Sequence, residues 1–471
     1  MQYISTRGQA PKIGFCDVLL AGLARDGGLY VPETWPKLGE SAVGASAASA
    51  KNSASASYAQ KAASIMSPFV GAEIDQQIFE QLCVDAYSTF RHPEVAPLVE
   101  IGPNEYLLEL FHGPTLAFKD VALQLVGKLF DHVLMQRNER VMIVGATSGD
   151  TGGAAFDGVA SCRNVDIVML YPNNRVSDVQ RRQMTTLTAP NVHAVAVDGT
   201  FDDCQDLVKA MFNDQKFRDA NQLSAVNSIN WVRVMAQVVY YVTAIEKLGR
   251  SAVFSVPTGN FGNVLAGWIA KQMGAQIEGF VVASNTNDIL TRFFESKQMT
   301  ANEVVPTLSP SMDIQVSSNF ERLLFETNNR DGAETAKQLT DFRATGKLEV
   351  AASVYQKWFE GVFVGRRCND EQTLATMQDV YKQSAMLIDP HTAVGLSAAR
   401  QSAGVDYPKD MPMITLATAH PAKFPDAVRR ATGQTPKLPE HLADLMSRPE
   451  RSVSLPNDLG AVQAFVASCR K

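Results

Sequence analysis

The sequence predicts an α/β protein with two parallel-sheet units behind an N-terminal segment of different character. Three observations lead there. Short, near-continuous Val/Ile/Leu runs recur from about Glu105 onward. Amphipathic stretches of helical period separate most of them. Residues 1–95 show neither habit. Strands that are apolar throughout, rather than on alternate residues, are those buried on both faces of a helix-covered parallel sheet.

The elements follow in order. Residues 1–95 hold a turn at Asp26-Gly27-Gly28, then LYVPETWP, then SAVGASAASAKNSASAS at 41–57. That last stretch has almost no bulky apolar residue to offset its ordering entropy, so it reads as a flexible loop. The predicted strands are EYLLELF, RVMIVGAT, VDIVMLYP, VHAVAVDG, AVFSVPTG, IEGFVVAS and PMITLAT. Helices are expected between most of them, among them Val121–Leu134, Thr151–Cys162 and Ser228–Lys247. Residues Ser309–Glu349 are polar with few apolar runs, and read as a crossover or a mobile section near the site. No fixed-period repeat is visible. The expected partition is 1–95 as an N-terminal domain, 96–135 with 225–471 as a large unit, and 136–224 as a small one.

Composition narrows the function. The chain has 471 residues, 45% hydrophobic and 20% charged, which suits packed globular domains. A net charge of −6 without a Lys/Arg-rich block argues against a nucleic-acid partner. No apolar run reaches the ~20 residues of a membrane span. The opening MQYISTRGQAPKIG has no signal-peptide core. The six cysteines are scattered with no C-x-x-C pair, so neither a metal site nor a disulfide framework is expected, and a reducing cytoplasm is the natural compartment.

Three segments carry chemistry. In ELFHGPTLAFKDVALQLVG, Glu109–Gly127, a strand runs through a turn cluster to Lys119, and a helix follows. Crevices in open α/β sheets lie at the carboxyl ends of strands. A lysine desolvated there favours its neutral form and becomes a nucleophile for an aldehyde. Locally, a surface lysine at a helix start is the commoner meaning of such a pattern. In PTGNFGNVLAG, Pro257–Gly267, Gly259 and Gly262 let backbone approach a ligand, and the helix start suits a phosphate. The spacing fits neither G-x-G-x-x-G nor a P-loop. In ATSGDTGGAA, Ala146–Ala155, the hydroxyls of Thr147, Ser148 and Thr151 and three glycines form a second anion cradle, suited to a carboxylate; a plain N-cap with small packing residues is an even alternative. Together, two anion cradles and a buried-looking lysine form a coherent set.

HGPTLAFKD, ATSGDTGG and PTGNFGN, in that order, resemble the threonine synthase family of fold-type II pyridoxal-phosphate (PLP) enzymes. So do YISTRG with LAGLARDGGLYVP, HPEVAPL, VNSINWVRVMAQVVYY, DPHTAVG and LATAHPAKFP. The resemblance covers nearly the whole chain; residues 41–57 look like an insertion. It implies that Lys119 carries PLP as a Schiff base, that Gly259, Asn260, Phe261, Gly262 and Asn263 hold the PLP phosphate, and that Thr418 sits by the pyridine nitrogen. Thr147, Ser148 and Thr151 would bind the substrate carboxylate, and Asp150 would stand beside the cofactor's 3-oxygen, where many relatives carry Asn. For the substrate phosphate, Ser228, Asn230, Arg233, Lys423 and Arg322 are candidates, each with a structural role as the even alternative. His112, His391 and His420 could equally touch the site or be structural.

The implied reaction turns O-phospho-L-homoserine and water into L-threonine and phosphate, in a monomer or homodimer. A threonine-synthase-like phospho-lyase, or another fold-type II lyase or dehydratase, is the nearest alternative. A non-catalytic binder of phosphate ligands that kept the fold is the alternative from another class.

Overall fold

The computed structural model describes residues 1–39 and 56–470. The expected loop at 41–57 therefore lies outside the described residues except for its last two. One of these, Ser57, caps the Tyr58–Val70 helix through a capping box with Gln60.

The chain builds two main sheets in alternation. β1 (Tyr3–Ser5) and β2 (Tyr30–Pro32) pair antiparallel in the N-terminal region. β3 (Leu98–Gly102) and β4 (Glu105–Glu109) open the larger sheet. β5 (Val141–Ala146), β6 (Val165–Pro172), β7 (Val192–Asp198) and β8 (Leu223–Ser224) form the smaller one. β9 (Ala252–Pro257) and β10 (Ile277–Ser284) return to the larger sheet. β11 (Gln298–Thr300) and β12 (Lys347–Glu349) make a short antiparallel pair. β13 (Phe363–Arg367) and β14 (Met413–Ala417) complete the larger sheet, and β15 (Val453–Pro456) joins the edge of the smaller. The orders are β13-β10-β9-β14-β4-β3 and β15-β7-β6-β5-β8. Every pairing in both is parallel except β3 with β4. All eight residues of β6 and all six of β9 are buried, which is why their sequences carry no alternation.

All seven predicted runs are strands. Two expectations need correction. Residues 225–471 were expected in the large unit, yet β15 pairs with β7, and Val462 and Val466 of the Leu459–Ser468 helix pack on Val195, Val197 and Met211. A four-residue edge strand has no periodicity that tells which sheet it joins. Residues 309–349 are more structured than predicted. They hold the Phe320–Thr327 and Gly332–Thr345 helices, and Phe320, Leu323, Leu324 and Phe325 are buried. Among the described residues no helix is long and apolar enough to cross a membrane.

One helix pair fixes the site. The Lys119–Arg137 and Asp150–Val159 helices touch backbone to backbone. A Cβ on Gly127 would stand 1.9 Å from the Gly158 carbonyl oxygen, and one on Gly158 would stand 2.4 Å from the Leu123 oxygen. Only glycine permits that approach. It brings the first residues of both helices, Lys119 and Asp150, to one point.

Candidate active site

Lys119 is placed by backbone pairing. Beyond β4 the chain lies against the end of β14. The Leu110 N–H donates to the Ala417 carbonyl (2.9 Å), the Phe118 N–H to Thr418 (2.8 Å), and the His420 N–H to Leu116 (3.0 Å). This holds Thr418 beside Lys119. Asp120 closes the turn by accepting from the Thr115 N–H (2.8 Å) and hydroxyl (2.5 Å). Burial raises the Asp120 carboxyl to about 7, although the bonds from Thr115 oppose the rise.

Lys119 and Asp150 have opposite electrostatic settings. Both begin a helix, where the dipole disfavours a cation and favours an anion. Burial pushes Lys119 below the ordinary lysine range; Asp150 opposes this, and Lys423 and Arg233 add to it. Burial alone would raise Asp150, but Lys119 and Lys423, with a bond from Gln180, hold it well below the usual carboxylate range. Lys119 Nζ lies 3.2 Å from Asp150 Oδ2, and Lys423 Nζ lies 2.9 Å from Oδ1.

The opposite wall is the turn after β9. Gly259 admits no side chain, since a Cβ would sit 2.6 Å from the Ser311 oxygen. Phe261 takes a left-handed φ of 62° and buries its ring 5.3 Å from that of Phe320. The Gly262–Met273 helix has no side-chain N-cap, so no capping side chain satisfies its first N–H groups. Asn263 Oδ1 accepts from the Tyr240 and Tyr241 hydroxyls (2.5 and 2.9 Å), and its Nδ2 is buried with no partner among the described residues. Residues 311–319 brace the turn: Ser317 donates to the Gly259 carbonyl (2.7 Å), and the Asn319 N–H to that of Asn260 (3.1 Å).

One cavity gathers most of the expected residues. Lys119, Asp150, Thr151, Ser228, Arg233, Gly259, Asn260, Phe261, Gly262, Asn263, His391 and Thr418 line it. Arg233 is 3% exposed; one Nη donates to the Val226 carbonyl at 3.0 Å, its Nε has no partner, and no carboxylate pairs with it among the described residues. Burial lowers it to about 10, which leaves it a cation at neutral pH. His391 has Nδ1 2.9 Å from Asp389 Oδ1, and its Nε2 accepts from the Ser311 N–H at 3.2 Å. That assigns its ring proton to Nδ1.

Several expected residues lie off the cavity's lining. Thr147's hydroxyl accepts the Gly149 and Gly152 N–H groups (both 2.9 Å) and organises the turn. Ser148 is half-buried beside it. Asn230 caps the Trp231–Leu248 helix and donates to the Leu19 carbonyl. Arg322 is buried, with Nε and Nη2 on the Tyr30 and Ile229 carbonyls, so it ties the N-terminal region to the core. Lys423 is fully buried, and its bonds are internal. His112 pairs with Glu109, and His420 caps the Pro421–Lys423 turn. Phe118, Gln237, Pro257, Thr258, Ser311, Met312 and Ala419 line the cavity without having been expected. Gln237 was findable: it stands four residues after Arg233 on one helix face. Ser311 and Met312 were not, because their stretch has no recognisable period.

A family profile described as threonine synthase N terminus matches residues 2–87. One described as pyridoxal-phosphate dependent enzyme matches 94–348, and one described as threonine synthase, C-terminal, matches 392–466. The chain belongs to the threonine synthase family. A threonine synthase of Pseudomonas aeruginosa is 52% identical, covering 99% of this chain and 98% of that protein. The crystal structure of a PLP-bound threonine synthase from Brucella melitensis superposes with a TM-score of 0.94 at 49% identity, over 100% of both chains. Threonine synthase from yeast gives 0.92 at 38% identity, over 99% and 98%.

The residues fit the cofactor of that family. An aldehyde needs a buried amine with a depressed proton affinity, and Lys119 is one. A phosphate needs free N–H donors and no side-chain bulk, which the 259–263 turn offers through its uncapped helix, Gly259 and the orphaned Asn263 Nδ2.

Proposed function

We propose that this chain is a threonine synthase, converting O-phospho-L-homoserine and water into L-threonine and phosphate. What carries the proposal is one cavity that holds both a buried amine, Lys119, and a buried guanidinium, Arg233, left without a carboxylate partner among the described residues. The first suits covalent capture of an aldehyde, the second an anionic substrate.

Bound PLP supplies the electron sink for charge that develops on the substrate carbons. Lys119 is the residue we assign to hold it, with Gly259, Asn260, Phe261, Gly262 and Asn263 around its phosphate and Thr418 at the ring nitrogen. Lys119 Nζ, when not bonded to the cofactor, would take the proton from the substrate's α carbon and then one from its β carbon. The same nitrogen returns protons to the γ and α carbons once phosphate has left and water has added at the β carbon. Thr151 is assigned to the substrate carboxylate, and Arg233 and Ser228 to the substrate phosphate. The units are assigned as 1–95, 96–135 with 225–452, and 136–224 with 453–470. Six buried free thiols favour the cytoplasm as compartment.

The test is product analysis of the full chain supplied with PLP and O-phospho-L-homoserine. Threonine and phosphate are expected in equal amounts, and Lys119→Ala is expected to form neither. Release of phosphate with 2-oxobutanoate in place of threonine would instead make the chain a phospho-lyase.

A further inference from the structure

Lys423 is a fully buried lysine outside the cavity's lining, yet it touches the residue that faces Lys119. It stands on the Pro421–Lys423 turn, five residues after Thr418. Its Nζ donates to the Thr115 carbonyl (2.7 Å) and to Gln183 Oε1 (2.9 Å), and lies 2.9 Å from Asp150 Oδ1. An ammonium has three protons and here three acceptors. No proton is left over for a ligand, and the shell is built for the charged form.

Lys119 has the opposite surroundings. Its polar partner among the described residues is Asp150 Oδ2 at 3.2 Å, with the Phe118 ring centroid at 4.9 Å. Asp150 thus stands between two lysines, also accepting from Gln180 Nε2 (2.8 Å) and, at 3.4 Å, from the Ser311 hydroxyl. Two ammonium groups sharing one buried carboxylate leave an unbalanced charge in low dielectric. The lysine with one acceptor, at a helix start, gives up its proton before the lysine with three.

From this geometry we propose that Lys423 is a positioning residue that keeps Asp150 ionised and half-neutralised, so that Lys119 stands as a free amine at neutral pH. It acts through Asp150 and touches neither cofactor nor substrate. Among the described residues, the other charged or titratable groups around the pair include Arg233, His391, Asp120 and His420, the last at the start of the turn that carries Lys423. Arg233, on the Trp231–Leu248 helix, adds to the lowering of Lys119, as Lys423 does, while burial is the largest cause and Asp150 opposes it. His391 lines the same cavity. Asp120 lies next to Lys119 in the chain, bonded to Thr115. Without the Lys423 charge, Asp150 keeps Lys119 as its single cationic partner, and Lys119 holds its proton to higher pH.

The inference rests on Lys119 as the aldehyde-capturing amine, and the test separates the two. Full-length protein stripped of PLP is mixed with added PLP between about pH 6 and 10, a range spanning the expected shift of a depressed lysine. The absorbance change that follows bonding of the lysine nitrogen to the aldehyde carbon, with loss of one water, is timed, and borohydride fixation locates it by mass spectrometry. Label at Lys119 supports the site; no capture at Lys119 in the unmodified protein overturns the site itself. In Lys423→Met the capture rate at neutral pH is expected to fall about tenfold and the pH midpoint to rise by about one unit. Asp150→Asn added to Lys423→Met is expected to bring the midpoint back down. An unchanged midpoint in folded Lys423→Met, or an equal shift with and without Asp150, overturns the role of Lys423. If Lys423→Met does not fold, Lys423→Gln removes the charge while keeping an N–H donor, and the same two outcomes apply.

Discussion

His420 shows how burial sets a pH dependence. Burial first, then the neighbouring His112, lowers it from the ordinary 6.5 to about 4. The folded protein therefore refuses a proton that the unfolded chain accepts. Above about pH 6.5 this has no effect on stability. As pH falls from there toward 4, stability declines by up to ~1.36 kcal/mol per unit, about 3 kcal/mol across the window. His420 Nδ1 accepts the Ala422 N–H at 3.1 Å, and an asparagine oxygen can replace that acceptor. His420→Asn is expected to flatten the acid side of the stability curve, read from urea midpoints at about pH 7 and 4.5. A variant that keeps the full acid slope would rule out His420 as its source. At Gly259 the expectation is steric. Gly259→Ala drives a methyl to 2.6 Å from the Ser311 carbonyl, and a backbone atom cannot step aside cheaply. PLP affinity should drop at least about tenfold, or ~1.4 kcal/mol, in a spectroscopic titration. Lys119, Thr418 and the 259–263 turn were legible because each lies in a local motif. Lys423 and Arg322 were legible only as cations. Whether a buried cation meets a ligand or three carbonyls depends on partners hundreds of residues away, such as Thr115 for Lys423 and Tyr30 for Arg322.

The decisive element is the crossed pair of helices, Lys119–Arg137 and Asp150–Val159. Each strand-to-helix junction was visible in the sequence as an apolar run, a glycine-rich turn and an amphipathic stretch. What was not visible is that Gly127 and Gly158 meet. Their closeness brings Lys119 and Asp150, the first residues of these two helices, within hydrogen-bond distance. Gly158→Ala places a methyl 2.4 Å from the Leu123 oxygen, so one helix must slide. A loss of about 1–3 kcal/mol is expected by thermal or urea unfolding, together with slower capture of PLP as Asp150 leaves Lys119. If stability falls and capture does not, the crossing matters for packing only. The 309–349 stretch was missed at this scale for a plain reason. Its buried helix, Phe320–Thr327, is only eight residues long, and its irregular part, 309–319, is ordered by bonds to Gly259, Asn260 and His391 rather than by its own period.

For the whole molecule, the order of strands in space departs from their order in the chain. The alternation of runs and helices gave the fold class, and near-continuous apolar strands gave parallel pairing. Neither specifies which sheet a late strand joins. A chain stopped after Ser452 would keep Glu450 against Arg181 and Arg182 yet lose β15 and the Leu459–Ser468 helix. It would bare the β7 edge and the apolar side chains of Val195, Val197 and Met211. A lower melting temperature and growing light scattering are expected; a truncated chain that melts with the intact one would show that β15 is dispensable.

β7 ends at Asp198 and β15 begins at Val453. At roughly 5–20 residues per second, a ribosome takes on the order of tens of seconds to cross that interval. The smaller unit is begun early and finished last. Its completion time in a cell is set by translation, and for that period the open flank of β7 depends on whatever holds nascent chains apart.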